Sequence, residues 1–195
     1  MWTDLLPVIS YCLVMTTTPG PNNVMLASSG AQFGFRSALP QILGQNSGVA
    51  VQTYATCLGL GSLFVAYPVL HQVLRVAGAL YLVFLAWKLS GSALGQARAS
   101  QPLSFTQAAL FQAINPKTWV KSITLATVFM PAGLSAPMGA LLVTVIGLLI
   151  GLPSASMWAL FGVAIRRLLT DPRKQRFFNL SMGAVLLLLA VSFLR

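Results

Sequence analysis

In this 195-residue chain the residues with the most chemistry to offer are Asn115, Pro116 and Lys117, inside "INPKTW" (114–119). Proline at a first helical position has no N–H to waste, and asparagine before it is a favoured cap, so the spacing predicts a helix that starts afresh there. A similar start is predicted at "TPGPNN" (18–23). Pro19 and Pro21 cannot donate to the carbonyls of Met15 and Thr17. Thr18 and Gly20 precede prolines and are pushed out of helical geometry, so Gly20 can cap a second helix that begins at Pro21. A helix N-terminus offers free N–H groups and the positive end of a dipole, and two such ends favour an anion. Asn22, Asn23 and Asn115 are placed to orient it.

Lys117 sharpens this reading. A lysine at mid-membrane costs about 2.5–3.5 kcal/mol on insertion scales. The chain has only two acidic residues, Asp4 and Asp171, both near ends or loops. Lys117 must therefore be neutral, reach the interface, bond the carbonyls freed by the prolines, or meet an anion from outside such as a substrate carboxylate. For Lys121, one turn further on, reaching the interface is the favoured reading. A single proline kink would be unremarkable in a membrane helix. Two breaks at matching places, each with an asparagine, point to a transporter binding site.

Gln41, Gln45, Gly48, Gln52 and Thr56 recur at helical spacing and share one face. Amides facing lipid are costly, so this stripe should face a cavity or a neighbouring helix. Gln45 is a candidate for hydrogen-bonding a zwitterion. The stripe could equally be interhelical glue, as could the small-residue pairs Gly44/Gly48 and Gly147/Gly151, which would also permit a homodimer. Asn46 lies about one position off the stripe.

The elements that must position these residues are membrane helices. The chain is 56% hydrophobic and 7% charged, with charge-free runs at 5–35, 37–74, 122–165 and 177–194. Crossing the hydrocarbon takes about 20 apolar residues, and irregular backbone is excluded from lipid at that depth. The runs are continuous rather than alternating, which predicts an all-α, polytopic membrane protein. Six transmembrane helices are expected near 5–29, 39–67, 73–89, 105–131, 138–165 and 177–194. The layout divides into half one (1–90), a Ser/Gly/Ala-rich linker (91–104) and half two (105–195), one transporter domain in all. Three spans being odd, the second half would enter the membrane inverted, with the breaks in helices one and four.

The net charge of +10 suggests nucleic acid, but its placement argues otherwise. Arg36, Lys88, Arg98 and the cluster Arg166, Arg167, Arg173, Lys174 and Arg176 fall on one side; Asp4, Arg75 and Arg195 fall on the other. This positive-inside pattern places both termini outside, with "RRLLTDPRKQR" (166–176) as an anchor on anionic lipid. The N-terminus lacks a basic region and a cleavage site, so a retained first span is expected. His71 should be solvated or interfacial. Cys12 and Cys57 have no partner motif and read as small core hydrophobes. No metal or cofactor is expected, and one histidine with no buried carboxylate leaves no acid–base pair for hydrolysis.

Taken in order, "TPGPNN", "GFRSALPQILGQNSG" (34–48), "LRVAGALYLVFLAWKL" (74–89) and "NPK" (115–117) resemble the LysE/RhtB amino-acid exporter superfamily, over about residues 15–130 and more weakly beyond. The asparagine form of the first motif is most similar to its cysteine/O-acetylserine exporters. The resemblance implies efflux of small neutral amino acids across the bacterial inner membrane, driven by the proton gradient. It also implies that Pro19, Gly20, Pro21, Asn22, Asn115, Pro116 and Lys117 belong to the functional core. Many relatives carry aspartate where this chain has Asn22, so that position cannot carry a proton here. The expected function is therefore an exporter of small neutral amino acids working by alternating access. Its rivals are a membrane thiol-redox protein using Cys12 and Cys57 and a passive channel.

Overall fold

Helix α1 (Trp2–Thr17) ends where the prolines remove the next donors, and α2 (Pro21–Phe33) restarts after Gly20, whose backbone is extended at φ −173°. The computed structural model describes residues 2–91, 101–166 and 171–194. Arg98, Arg167, Arg195 and most of the expected linker lie outside them, as do the side chains of Asp4, His71 and Lys88. Gly34 turns the chain at φ 84°, a left-handed conformation that favours glycine, and α3 (Phe35–Ala55) follows. The expected second span is then interrupted. A π-helical turn (Thr56–Leu60) contains Gly59 at φ 117°, and only after it does the short α4 (Gly61–Ala66) continue. α5 covers Pro68–Gly91.

The stretch from residue 101 opens with a capping box. Ser104 Oγ accepts from the Gln107 N–H and the Gln107 side chain accepts from the Ser104 N–H at the head of α6 (Phe105–Phe111). A tight 3-10 turn (Gln112–Ile114) leads to the second break, and α7 (Pro116–Val128) begins with Asn115 as its cap. α8 (Ala136–Arg166) runs 31 residues without interruption, and α9 (Pro172–Leu194) closes the chain. Asp171 Oδ1 accepts the Arg173 N–H at 2.8 Å at the start of α9. No strand is present among the described residues, so the all-α expectation holds.

Polarity is arranged the opposite way from a water-soluble protein. Val51, Leu149 and Phe177 are 69–75% exposed, while Gln41, Gln112 and Asn115 are at most 1% exposed. Such a surface is suited to lipid. By length and composition α8 and α9 could each cross a membrane unaided. The broken segments pass no such test as single helices, because the breaks divide them.

Close helix contacts hold the assembly. α8 is packed by α1, α2 and α3; α3 is packed by α6 and α7; α5 lies along α9. A Cβ at Gly162 would strike the carbonyl of Ala27, and one at Gly30 the carbonyl of Ala159, so glycine alone permits the approach of α2 and α8. Gly44 does the same for α3 against the Phe105 carbonyl of α6. The Gly44/Gly48 pair is thus spent inside the chain, and Gly147 and Gly151 line the interior cavity described below. Neither pair is free to join a second copy.

Candidate functional site

The two breaks meet. Lys117 extends from the first turn of α7 to the gap between α1 and α2. There its Nζ donates to the Thr18 carbonyl at 2.8 Å, the Thr18 hydroxyl at 2.8 Å and the Pro19 carbonyl at 3.2 Å. An ammonium has three donors, and all three are used. Among the fates open to Lys117, the structure selects bonding to carbonyls at the first break, although these are Thr18 and Pro19 rather than Met15 and Thr17. Gly20 makes the reach possible, since a Cβ there would lie 2.9 Å from both Cδ and Nζ of Lys117.

A second link runs through amides. Asn22 Nδ2 donates to Gln112 Oε1 at 3.0 Å, and Gln112 Nε2 returns a bond to Asn22 Oδ1 at 3.2 Å. Asn115 Nδ2 also reaches Gln112 Oε1, at 3.4 Å. Asn23 Nδ2 covers the carbonyls of Thr16 and Thr18, each at 2.8 Å, and Ser154 Oγ from α8 donates to the same Thr16 carbonyl at 3.0 Å. In the second break the Thr118 hydroxyl donates to the Asn115 carbonyl at 2.8 Å and Trp119 Nε1 to that of Ala113 at 2.8 Å. Carbonyls at the two breaks are in this way bonded from side chains.

The two helix starts are not equivalent. Asn115 Oδ1 accepts the Lys117 N–H at 3.2 Å, so α7 is capped by its own residue. α2 begins at Gly20 with no side-chain cap. Only the first of the two expected anion-binding ends is left open.

Between the breaks lies a cavity walled by residues of α1, α2, α3, α7 and α8. Gly20, Pro21, Asn22, Asn23, Gln45, Asn115 and Lys117 all line it, and all were expected at the site. Pro19 and Pro116 do not. Pro19 is exposed and contributes its carbonyl to Lys117; Pro116 is buried against Gly78, its Cδ 3.1 Å from where a Cβ would stand. Met15 lines the cavity and Thr17 does not.

The stripe on α3 divides. Gln45 faces this cavity, whereas Gln41 faces a second one beside Ser28, Ser29 and Leu85, where Ser29 Oγ donates to Gln41 Oε1 at 2.7 Å. The face of α3 turned to the main cavity also carries Asn46, Val49 and Thr53, offset from the expected stripe. Lys121 corrects another expectation. It does not reach an interface; it is 5% exposed and lines the cavity. Sequence reasoning also passed over Gln112, Thr118, Thr144 and Ser154. Gln112 alone carried a signal, as a lone amide three residues before the Asn115 cap.

Chemically the cavity can bind and orient. Polar neutral groups and two ammonium groups line it, and among the described residues no carboxylate does. Among the described residues no cluster of three or more His, Cys, Asp or Glu side chains forms. Cys12 and Cys57 are both free thiols, one in an apolar cluster with Val8, Leu125 and Val143, the other in the π-helical turn.

The LysE type translocator family matches residues 13–195. The chain is 30% identical over 184 residues to the Cysteine/O-acetylserine efflux protein of Escherichia coli (strain K12), and equally to those of Escherichia coli O139:H28 (strain E24377A / ETEC) and Shigella sonnei (strain Ss046). In each case 93% of both chains is covered. No solved structure matches. With a lipid-facing exterior, a polar interior cavity and a family match over nearly its whole length, this chain belongs to the LysE type translocator family, as an integral membrane transporter and not an enzyme.

Proposed function

We propose that the protein exports small neutral amino acids across the bacterial inner membrane, cysteine and O-acetylserine being the first candidates because the relatives carry those names. The substrate sits in the cavity between the two breaks. The observation that carries this reading is Lys117 bridging from the second break to the carbonyls of the first, at 2.8 and 3.2 Å. It brings two interrupted segments, one from each half, to a single polar space. The open N-terminus of α2 makes this space favourable to an anion, and Asn22, Asn23, Gln45 and Asn115 give it the polar wall in which a zwitterion is oriented. Lys117 keeps the local potential positive.

Six crossings arranged as two inverted halves account for the packing. α1 and α2 pack on α8, and α6 and α7 pack on α3. Exchanging the first span for the fourth and the fifth for the second maps one set of contacts onto the other, as an inverted repeat requires. The exposed Arg36, Arg166, Arg173 and Arg176 face the cytoplasm, where they meet anionic lipid, and both termini lie in the periplasm. Transport then proceeds by rocking one half against the other around the cavity.

The test is counterflow in proteoliposomes against a panel of amino acids, with and without an imposed pH gradient. Accumulation of labelled cysteine or O-acetylserine against unlabelled internal substrate is expected. Equilibration without accumulation would mark a passive channel, and no movement of any amino acid would refute the reading.

A further inference from the structure

The cavity holds a lysine head group that no described side chain pairs with. Lys121 lies one turn beyond Lys117 on α7, is 95% buried by its 5% exposure, and has no hydrogen bond or ion pair among the described residues. Among the described side chains, no carboxylate lines the cavity it faces. Asp171 is exposed at the start of α9, and Asp4 belongs to the first turn of α1. The ionisable groups near enough to interact with Lys121 are Lys117, of like sign, and the thiol of Cys12. Lys117 has committed its three donors to Thr18 and Pro19, and Lys121 has committed none.

Space has been left in front of Lys121. A Cβ at Gly147 would stand 3.8 Å from its Nζ, and the glycine keeps that side of the cavity open. One turn earlier on α8, Thr144 faces the same cavity with its hydroxyl buried and unpaired. Across from α8, Gln45 on α3 presents a buried Oε1 with no donor. A cation and a hydroxyl without acceptors, and an amide oxygen without a donor, are costly orphans in an apolar surround unless something completes them. An amino-acid zwitterion has the complementary set.

Resting on the proposed function, we infer that Lys121 and Thr144 hold the substrate carboxylate and Gln45 Oε1 accepts from its ammonium group, while Lys117 serves as a strap between the two breaks. Carboxylate recognition is thereby assigned to the side chain that is free, not to the lysine of the Asn-Pro-Lys motif. The carboxylate is the feature an amino acid shares with every member of its class, so this set recognises the class. Residues elsewhere on the cavity wall, such as Met15 and Leu148, are left to select the side chain.

The test is equilibrium binding of O-acetyl-L-serine and L-cysteine, and of their methyl esters, to the purified full-length protein in detergent. Wild type should bind the acids and reject the esters. Lys121→Met should weaken binding at least about 30-fold, the loss expected when one partner of a buried charged pair is truncated. Lys121→Arg should recover part of it. Thr144→Val, a milder change, should weaken binding about tenfold. Lys117→Met should weaken binding less than Lys121→Met while abolishing counterflow. Thermal unfolding of each variant serves as the folding control, and Thr144→Val carries the test alone if Lys121→Met does not fold. Undiminished acid binding by both Lys121→Met and Thr144→Val, or equal binding of acid and ester by wild type, would overturn the inference and leave the transporter reading standing. Failure of wild type to bind either acid would overturn both.

Discussion

Asn22 and Gln112 exchange two hydrogen bonds, 3.0 and 3.2 Å long, across 90 residues of sequence, and in doing so tie the start of α2 to the turn between α6 and α7. Gln112 is 1% exposed, so its amide has no water to turn to if Asn22 is removed, whereas Asn22 is half-buried on the cavity wall. Asn22→Ala and Gln112→Ala should each destabilise the protein, and the double variant should cost less than their sum. The coupling expected from hydrogen bonds between membrane helices is about 0.6 kcal/mol. A double-mutant cycle of unfolding in detergent measures it.

Gly20 has an ordinary extended backbone, so its role is the room it leaves for Lys117. Gly20→Ala would place a methyl group 2.9 Å from the Lys117 Cδ and Nζ, which can move because they end a flexible side chain. The variant should fold and reach the membrane yet lose counterflow, as Lys117 is pushed off Thr18 and Pro19. Protein level in membranes and exchange in proteoliposomes separate the two effects.

Gly162 differs, because what a Cβ would meet there is the backbone carbonyl of Ala27, which cannot step aside without moving α2. Gly162→Ala should cost about 1–3 kcal/mol of stability, the usual price of overpacking a tight contact. Thermal unfolding in detergent checks this, and Gly133→Ala offers no such clash, since nothing stands within 4 Å of a Cβ there. Its own cost should come only from its positive φ of 90°.

Asn115 caps α7 through its Oδ1, 3.2 Å from the Lys117 N–H. Asn115→Ala should lose about 1 kcal/mol, as cap removals do. Asn115→Asp keeps the cap acceptor and suits the helix dipole, but it turns a buried carboxylate oxygen toward Gln112 Oε1, so it too should lose stability. It also puts a fixed carboxylate on the cavity wall, where it competes for the site, and counterflow should fall.

The helix breaks were legible because proline chemistry is local. Pro19, Pro21 and Pro116 remove donors wherever the chain runs, and the fold obeyed them. Gly59 carried a weaker signal, since a glycine in an apolar helix is often only a packing residue, and its left-handed turn depends on neighbours that sequence does not name. Lys121 was misread for the same reason. Lysines snorkel when a helix end is near, and only the packing of α7 against α3 and the cavity lined by α8 shows that no interface is in reach. The Gln41/Gln45 stripe split because helical periodicity fixes a shared face but not how two cavities divide it. Ser154 lay beyond sequence reasoning and the signal at Gln112 named no partner, because their partners Thr16 and Asn22 are 138 and 90 residues away.

The most direct test of where the substrate binds is protection of an introduced thiol. In a Cys57→Ser background, Val49→Cys places a thiol on the main cavity wall and Gln32→Cys places one on the second cavity. A transported amino acid should slow maleimide labelling at Val49→Cys and leave labelling at Gln32→Cys unchanged. An amino acid that is transported but leaves Val49→Cys as reactive as before would contradict the account.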